Sequence, residues 1–171
     1  MAGPGQEIEL TTRTLRVVPT PGHTQGHVVF TDSGNRLLFA GDHVLPHITP
    51  SIGFEPVSAS QPLGDYLESL RMVRALPDMR LLPAHGPDGG SAHKRIDELL
   101  AHHADRLGQC ADAVAAGAGT AYEVACALRW TRRGAPAGRP GPVQPDARRG
   151  RDPDTSGAAR RPGTAGGIHR R

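Results

Sequence analysis

Four short apolar runs constrain this chain more than any other feature. They fall at residues 15–18, 28–30, 37–40 and 80–83. Each is too short for a helix and takes its large apolar side chains from Val, Leu and Phe, which suits strands buried on at least one face. Each also meets residues that stop a strand, namely Pro19, Asp32-Ser33-Gly34-Asn35, Gly41-Asp42 and Ala84-His85-Gly86. Small polar residues at 32–35 tolerate turn backbone, so residues 28–31 and 36–40 are expected to pair as a hairpin.

Between and after these runs the period changes. Leu63, Leu67, Leu70 and Val73 recur at helical spacing with charges between them, and Pro77-Asp78 ends the segment. Ser91 is placed to cap a helix in which Ile96, Leu99, Leu100, His103 and Leu107 share a face. Ala116-Gly117-Ala118-Gly119 breaks that helix. Thr120-Ala121-Tyr122-Glu123 matches a capping box, so another helix is expected to about residue 130. Residues 44–62 are aperiodic and hold four prolines, the pattern of a long loop bordering a site. The order predicts an α/β body followed by a small helical appendage.

Charge separates a further segment. The net charge of +3 hides an acidic body and a basic tail. Residues 1–131 hold 10 Lys and Arg against 14 Asp and Glu, whereas residues 132–171 hold 10 Arg against 3 Asp. An argument for nucleic-acid binding can therefore be made for the tail alone. Of residues 133–171, 14 are Gly or Pro, and only Val143 and Ile168 are apolar beyond alanine. Such a stretch cannot bury enough surface to offset its chain entropy, which predicts disorder over 134–171. An abrupt turn to Ala, Arg, Gly and Pro is also what a shifted frame in a GC-rich gene would encode. Cys110 and Cys126 make no disulfide framework, and no apolar run approaches the ~18 residues of a membrane span. A cytoplasmic, reduced setting without membrane contact is the expectation.

Chemistry concentrates where the strands end. His23, Asp42 and His85 each follow an apolar run, where a rigid sheet can hold a side chain in fixed geometry. Imidazole and carboxylate are ligands of catalytic zinc. Taken singly, a loop histidine is usually solvated, and Asp42 could merely cap a turn. The ordered series carries the weight.

That series is Thr20-Pro21-Gly22-His23-Thr24-Gln25-Gly26-His27, then Phe39-Ala40-Gly41-Asp42, then Leu82-Pro83-Ala84-His85-Gly86. It resembles the later half of the metallo-β-lactamase superfamily. The resemblance implies a partial metallo-β-lactamase αββα sandwich over residues 1–90, the C-terminal half of that fold. Residues 91–133 would be a helical, winged-helix-like extension similar to that of β-lactamase-like protein 2, and residues 134–171 the disordered tail. It implies that His23 is the third histidine of a first metal site, that Asp42 bridges two metals, and that His85 completes the second. His27 would then be structural. The implied activity is zinc-dependent hydrolysis, with one or two ions, of a small-molecule ester, thioester or phosphodiester. No catalytic side chain beyond the ligands is implied.

One departure matters. The H-x-H-x-D-H motif of the superfamily occurs nowhere in the 171 residues. Each metal would keep two protein ligands where catalytic zinc normally has three, so weak or partial occupancy and impaired activity are expected of this chain alone. The alternatives are a catalytically inactive fragment, or a nucleic-acid-binding or ribonuclease-like protein using the basic tail. That tail lacks aromatics to stack on bases. His43 and His47 are expected to be solvated loop residues, and His102 and His103 to lie on a helix face.

Overall fold

The computed structural model describes residues 5–57 and 59–128. The expectations for residues 129–171, including the basic tail, fall outside the described residues. Strands β1 (Glu7–Leu10), β2 (Arg13–Pro19), β3 (Val28–Asp32) and β4 (Leu37–Gly41) pair antiparallel in chain order. Strand β5 (Arg80–Pro83) then joins β4 in parallel. Helix α1 (Pro62–Arg74) makes the crossover between β4 and β5, and helices α2 (Ala92–Ala115) and α3 (Ala121–Ala127) follow.

Local chemistry explains most boundaries. In the β3–β4 turn, Asp32 accepts from the Asn35 backbone N–H at 2.9 Å and from its side-chain amide at 2.7 Å. These bonds hold the Asp32 carboxyl below the usual carboxylate range. Helix α1 opens on Pro62, whose missing N–H costs nothing in the first turn. Ser91 caps α2 by accepting from Lys94 N at 3.0 Å. Thr120 and Glu123 form the expected capping box at α3, with reciprocal bonds of 3.2 and 3.0 Å. Strand β1 was not expected; it forms a hairpin with β2, pairing Ile8 with Leu15.

The core lies on one face of the sheet. Val18, Val29, Leu38, Ala40 and Leu81 meet Tyr66, Leu70 and Val73 of α1 and Ile96 and Leu99 of α2. The first turns of α2 therefore share a core with α1 and the sheet. On the opposite face, Val17, Phe30, Phe39 and Leu82 lie side by side across four strands.

Strand direction decides where the loops go. β3 runs against β2 and β4, while β5 runs with β4. The carboxyl ends of β2, β4 and β5 thus share one edge, the edge at which ligand sites of such sheets gather. Among the described residues, no helix is long and apolar enough to cross a membrane.

Candidate metal centre at the carboxyl edge

Asp42 leaves β4 between two histidines. Its Oδ1 lies 2.7 Å from His85 Nδ1, beyond β5. Its Oδ2 lies 3.7 Å from His23 Nε2, beyond β2. β2 and β4 are two strand spacings apart, about 9–10 Å, so the His23 and Asp42 side chains bridge a gap their backbones cannot close. The Asp42 and His23 side chains are 29% and 21% exposed, whereas His85 is 72% exposed.

Hydrogen bonds fix what each ring can offer. His23 donates Nδ1–H to the Ser51 carbonyl at 2.7 Å, which leaves the Nε2 lone pair toward Asp42. Second partners of this kind orient metal-binding histidines. His27 carries its proton on the same nitrogen, but its Nε2 is not free. The Asp42 backbone N–H donates to His27 Nε2 at 3.3 Å, and His27 Nδ1 pairs with Thr20 Oγ1 at 2.8 Å. Both nitrogens are engaged, so His27 acts as a brace for Asp42. Burial, and then the neighbouring His23, lower its pKa and keep it neutral.

Two glycines make these approaches possible. Gly41 has φ of 54°, and a Cβ there would lie 2.8 Å from His27 Nε2. Gly22 has φ of 136°, and a Cβ there would overlap the backbone of Tyr66. Tyr66 also donates its hydroxyl to the His43 carbonyl at 3.0 Å, and Ser69 Oγ donates to the Pro21 carbonyl at 2.9 Å. Helix α1 thus holds the turn before His23 and the loop after Asp42 at once.

The donor set fits a metal in kind but not in number. Two donors on one tetrahedral zinc stand ~3.3 Å apart, close to the His23–Asp42 separation. The His85–Asp42 separation is instead that of a direct hydrogen bond. Among the described residues, no group of three or more His, Cys, Asp or Glu is arranged to hold an ion.

The remaining histidines lie elsewhere. His43 is fully buried, not solvated, and neither ring nitrogen has a hydrogen-bond partner among the described residues. Burial, and then His27, push its pKa down to about 3. Its ring meets Tyr66 edge-on at 5.2 Å, and Tyr66 meets His103 at 5.6 Å. His47 and His102 are exposed. Sequence reasoning missed Ser51, Tyr66 and Ser69, whose partners lie 20 to 50 residues away. It also missed Arg95 of α2, which donates to the Leu45 and Ile48 carbonyls at 2.6 and 3.1 Å. No local signal marks these four.

A mixed sheet with helices on one face and histidine and carboxylate at its carboxyl edge defines a partial metallo-hydrolase fold. The sequence model of the Metallo-beta-lactamase superfamily matches residues 1–85. The chain belongs to the metallo-β-lactamase superfamily. It is 31% identical over 102 residues to the Beta-lactamase-like protein 2 homolog of Caenorhabditis elegans, covering 60% of this chain and 32% of that protein. It is 37% identical over 102 residues to the Lactamase-like protein nscB of Arthroderma gypseum, covering 60% and 30%. A metallo-beta-lactamase family protein from Thermus thermophilus superposes with a TM-score of 0.63 at 32% identity, over 72% of this chain and 40% of that one. A beta-lactamase domain protein from Burkholderia ambifaria gives 0.58 at 34% identity, over 63% and 34%. The chain thus spans about a third of the length of the curated relatives it matches.

Proposed function

We propose that this chain carries the His23, Asp42 and His85 part of a zinc-dependent hydrolase centre, with weak occupancy when it acts alone. The observation that carries this reading is the placement of the His23 ring between Ser51 and Asp42. The Ser51 carbonyl accepts from His23 Nδ1–H, and Nε2 faces the Asp42 carboxylate at a separation suited to one shared ion. Bound zinc would polarise a substrate oxygen and bring the pKa of a coordinated water to about 7. His27 holds Asp42 by its backbone, and Tyr66 and Ser69 keep the two ligand loops in register. With two donors per ion, occupancy falls below that of a three-ligand site. In this reading residues 1–90 are the partial hydrolase domain, and a helical extension begins at residue 91. A cytoplasmic setting agrees with two free cysteines.

Equilibrium dialysis against zinc, with metal counted per chain, tests the centre. Wild type is expected to retain zinc that Asp42→Ala loses. Equal zinc in the two proteins overturns the assignment. Hydrolysis of paired ester, thioester and phosphodiester substrates, with and without zinc, then measures activity.

A further inference from the structure

Helix α2 reaches back across the chain to the loop that follows Asp42. Arg95, in its first turn, donates Nε–H to the Leu45 carbonyl at 2.6 Å and Nη2–H to the Ile48 carbonyl at 3.1 Å. Its third arm meets Glu98 at 2.9 Å, and the side chain is only 18% exposed. Hydrogen bonds from a charged donor are stronger than neutral ones, and a planar guanidinium offers its N–H groups at fixed angles. One side chain thus pins both ends of the stretch 45–48.

Pro46 lies inside that stretch and against the loop after β5. Gly86 has φ of 91°, and a Cβ there would stand 2.8 Å from Pro46 Cγ and 3.4 Å from its Cδ. Only a glycine lets the two loops approach this closely. His85 is the residue before Gly86. On its other side, the Ala84 backbone N–H donates to the Gly41 carbonyl at 2.9 Å. The His85 ring is 72% exposed and meets Asp42 at 2.7 Å. A ring so open to water takes its position from its backbone more than from packing, and that backbone is held between Gly41 and Pro46. His23 has a separate fastening. Its ring bonds the Ser51 carbonyl, and Gly53 N donates to the carbonyl of Gly22 beside it at 2.9 Å.

We propose that Arg95 is a positioning residue for the candidate centre: through Leu45, Ile48 and Pro46 it sets the Gly86 turn and so holds the His85 ring on Asp42. Its effect on zinc rests on the reading of His85 as a ligand, but the placement of the ring is a property of the metal-free chain. The test is NMR of the His23 and His85 rings in the metal-free full chain, with zinc titration alongside. Arg95→Met keeps the stem and loses the fork, whereas Pro46→Ala keeps Arg95 and loses the ring at Gly86. Both are expected to move the His85 ring resonances toward those of a solvated histidine and to leave those of His23 in place. In the titration, Arg95→Met should weaken zinc about tenfold, the low end for loss of an outer support. That loss should disappear when the same change is made in a His85→Ala chain, because a residue acting only through His85 then has nothing to act on. His85 resonances that stay put in Pro46→Ala overturn the proposal, whatever Arg95→Met does to folding. So does equal movement of both rings, which would make Arg95 a general fastening, or a zinc loss of the same size with and without His85. A wild-type chain that binds no zinc sinks the hydrolase reading alone, and the ring resonances still decide the role of Arg95.

Discussion

His23 and His27 stand four positions apart, share one tautomer and differ in what meets Nε2. The Ser51 carbonyl gives His23 a free Nε2, while the Asp42 backbone occupies the same atom of His27. Two substitutions should therefore behave differently. Asp42→Ala removes the carboxylate both outer histidines face, and zinc retention should fall to background. His27→Ala leaves all three proposed ligands in place but frees the Asp42 backbone. Loss of such an outer support typically costs ten- to a hundredfold in metal affinity, so calorimetric zinc titration should show a weakened rather than abolished isotherm. Identical isotherms for wild type and His27→Ala would show that His27 is only packing. The motif around His23 made the pair legible in sequence. Which of the two keeps a free lone pair was not, because Ser51 and Asp42 reach these rings only once the chain has turned back on itself.

Helix α1 acts on the site through its buried side. Its apolar spacing was readable from Leu63, Leu67, Leu70 and Val73, but Tyr66 and Ser69, which touch both ligand loops, break no pattern and carry no signal. Tyr66→Phe deletes the hydroxyl bond to the His43 carbonyl and should cost about 1 kcal/mol in urea unfolding. Gly22→Ala forces a Cβ against the Tyr66 backbone at a positive φ, and it should cost more than the loss of that hydroxyl and lower zinc retention as well. A Gly22→Ala protein as stable as wild type would mean that the turn moves freely against α1. At the far end, Thr120→Ala removes the capping box and should cost about 1 kcal/mol, felt mainly as fraying of α3. That helix start was legible because a capping box is purely local. Strand β1 was not, since four residues of Glu-Ile-Glu-Leu become a strand only by pairing with β2.

At the scale of the whole molecule, acid should be the condition that opens the fold. His43 is neutral in the folded chain down to about pH 3, because burial disfavours its charged form. Unfolded, it regains an ordinary pKa near 6.5. Between these values the unfolded chain binds a proton that the folded one refuses, so stability falls as pH drops from about 6.5 toward 3. Burial shifts His27 and His103 in the same direction. The urea midpoint of the metal-free chain should decline over that range, and His43→Leu should flatten the decline. A His43→Leu profile parallel to wild type would place the acid sensitivity elsewhere.

The parallel pairing of β4 with β5 has a consequence in time. Strands β1 to β4 are joined to their neighbours by short connections, whereas Leu38 meets Leu81 only after more than forty residues have closed. Loop closure over that span is entropically dearer and slower than hairpin formation. His23 and Asp42 should be brought together early by the meander, and His85 should arrive late, with the strand that carries it. In a refolding experiment, zinc added at successive delays would then see a two-residue site first and the three-residue site only in the final phase.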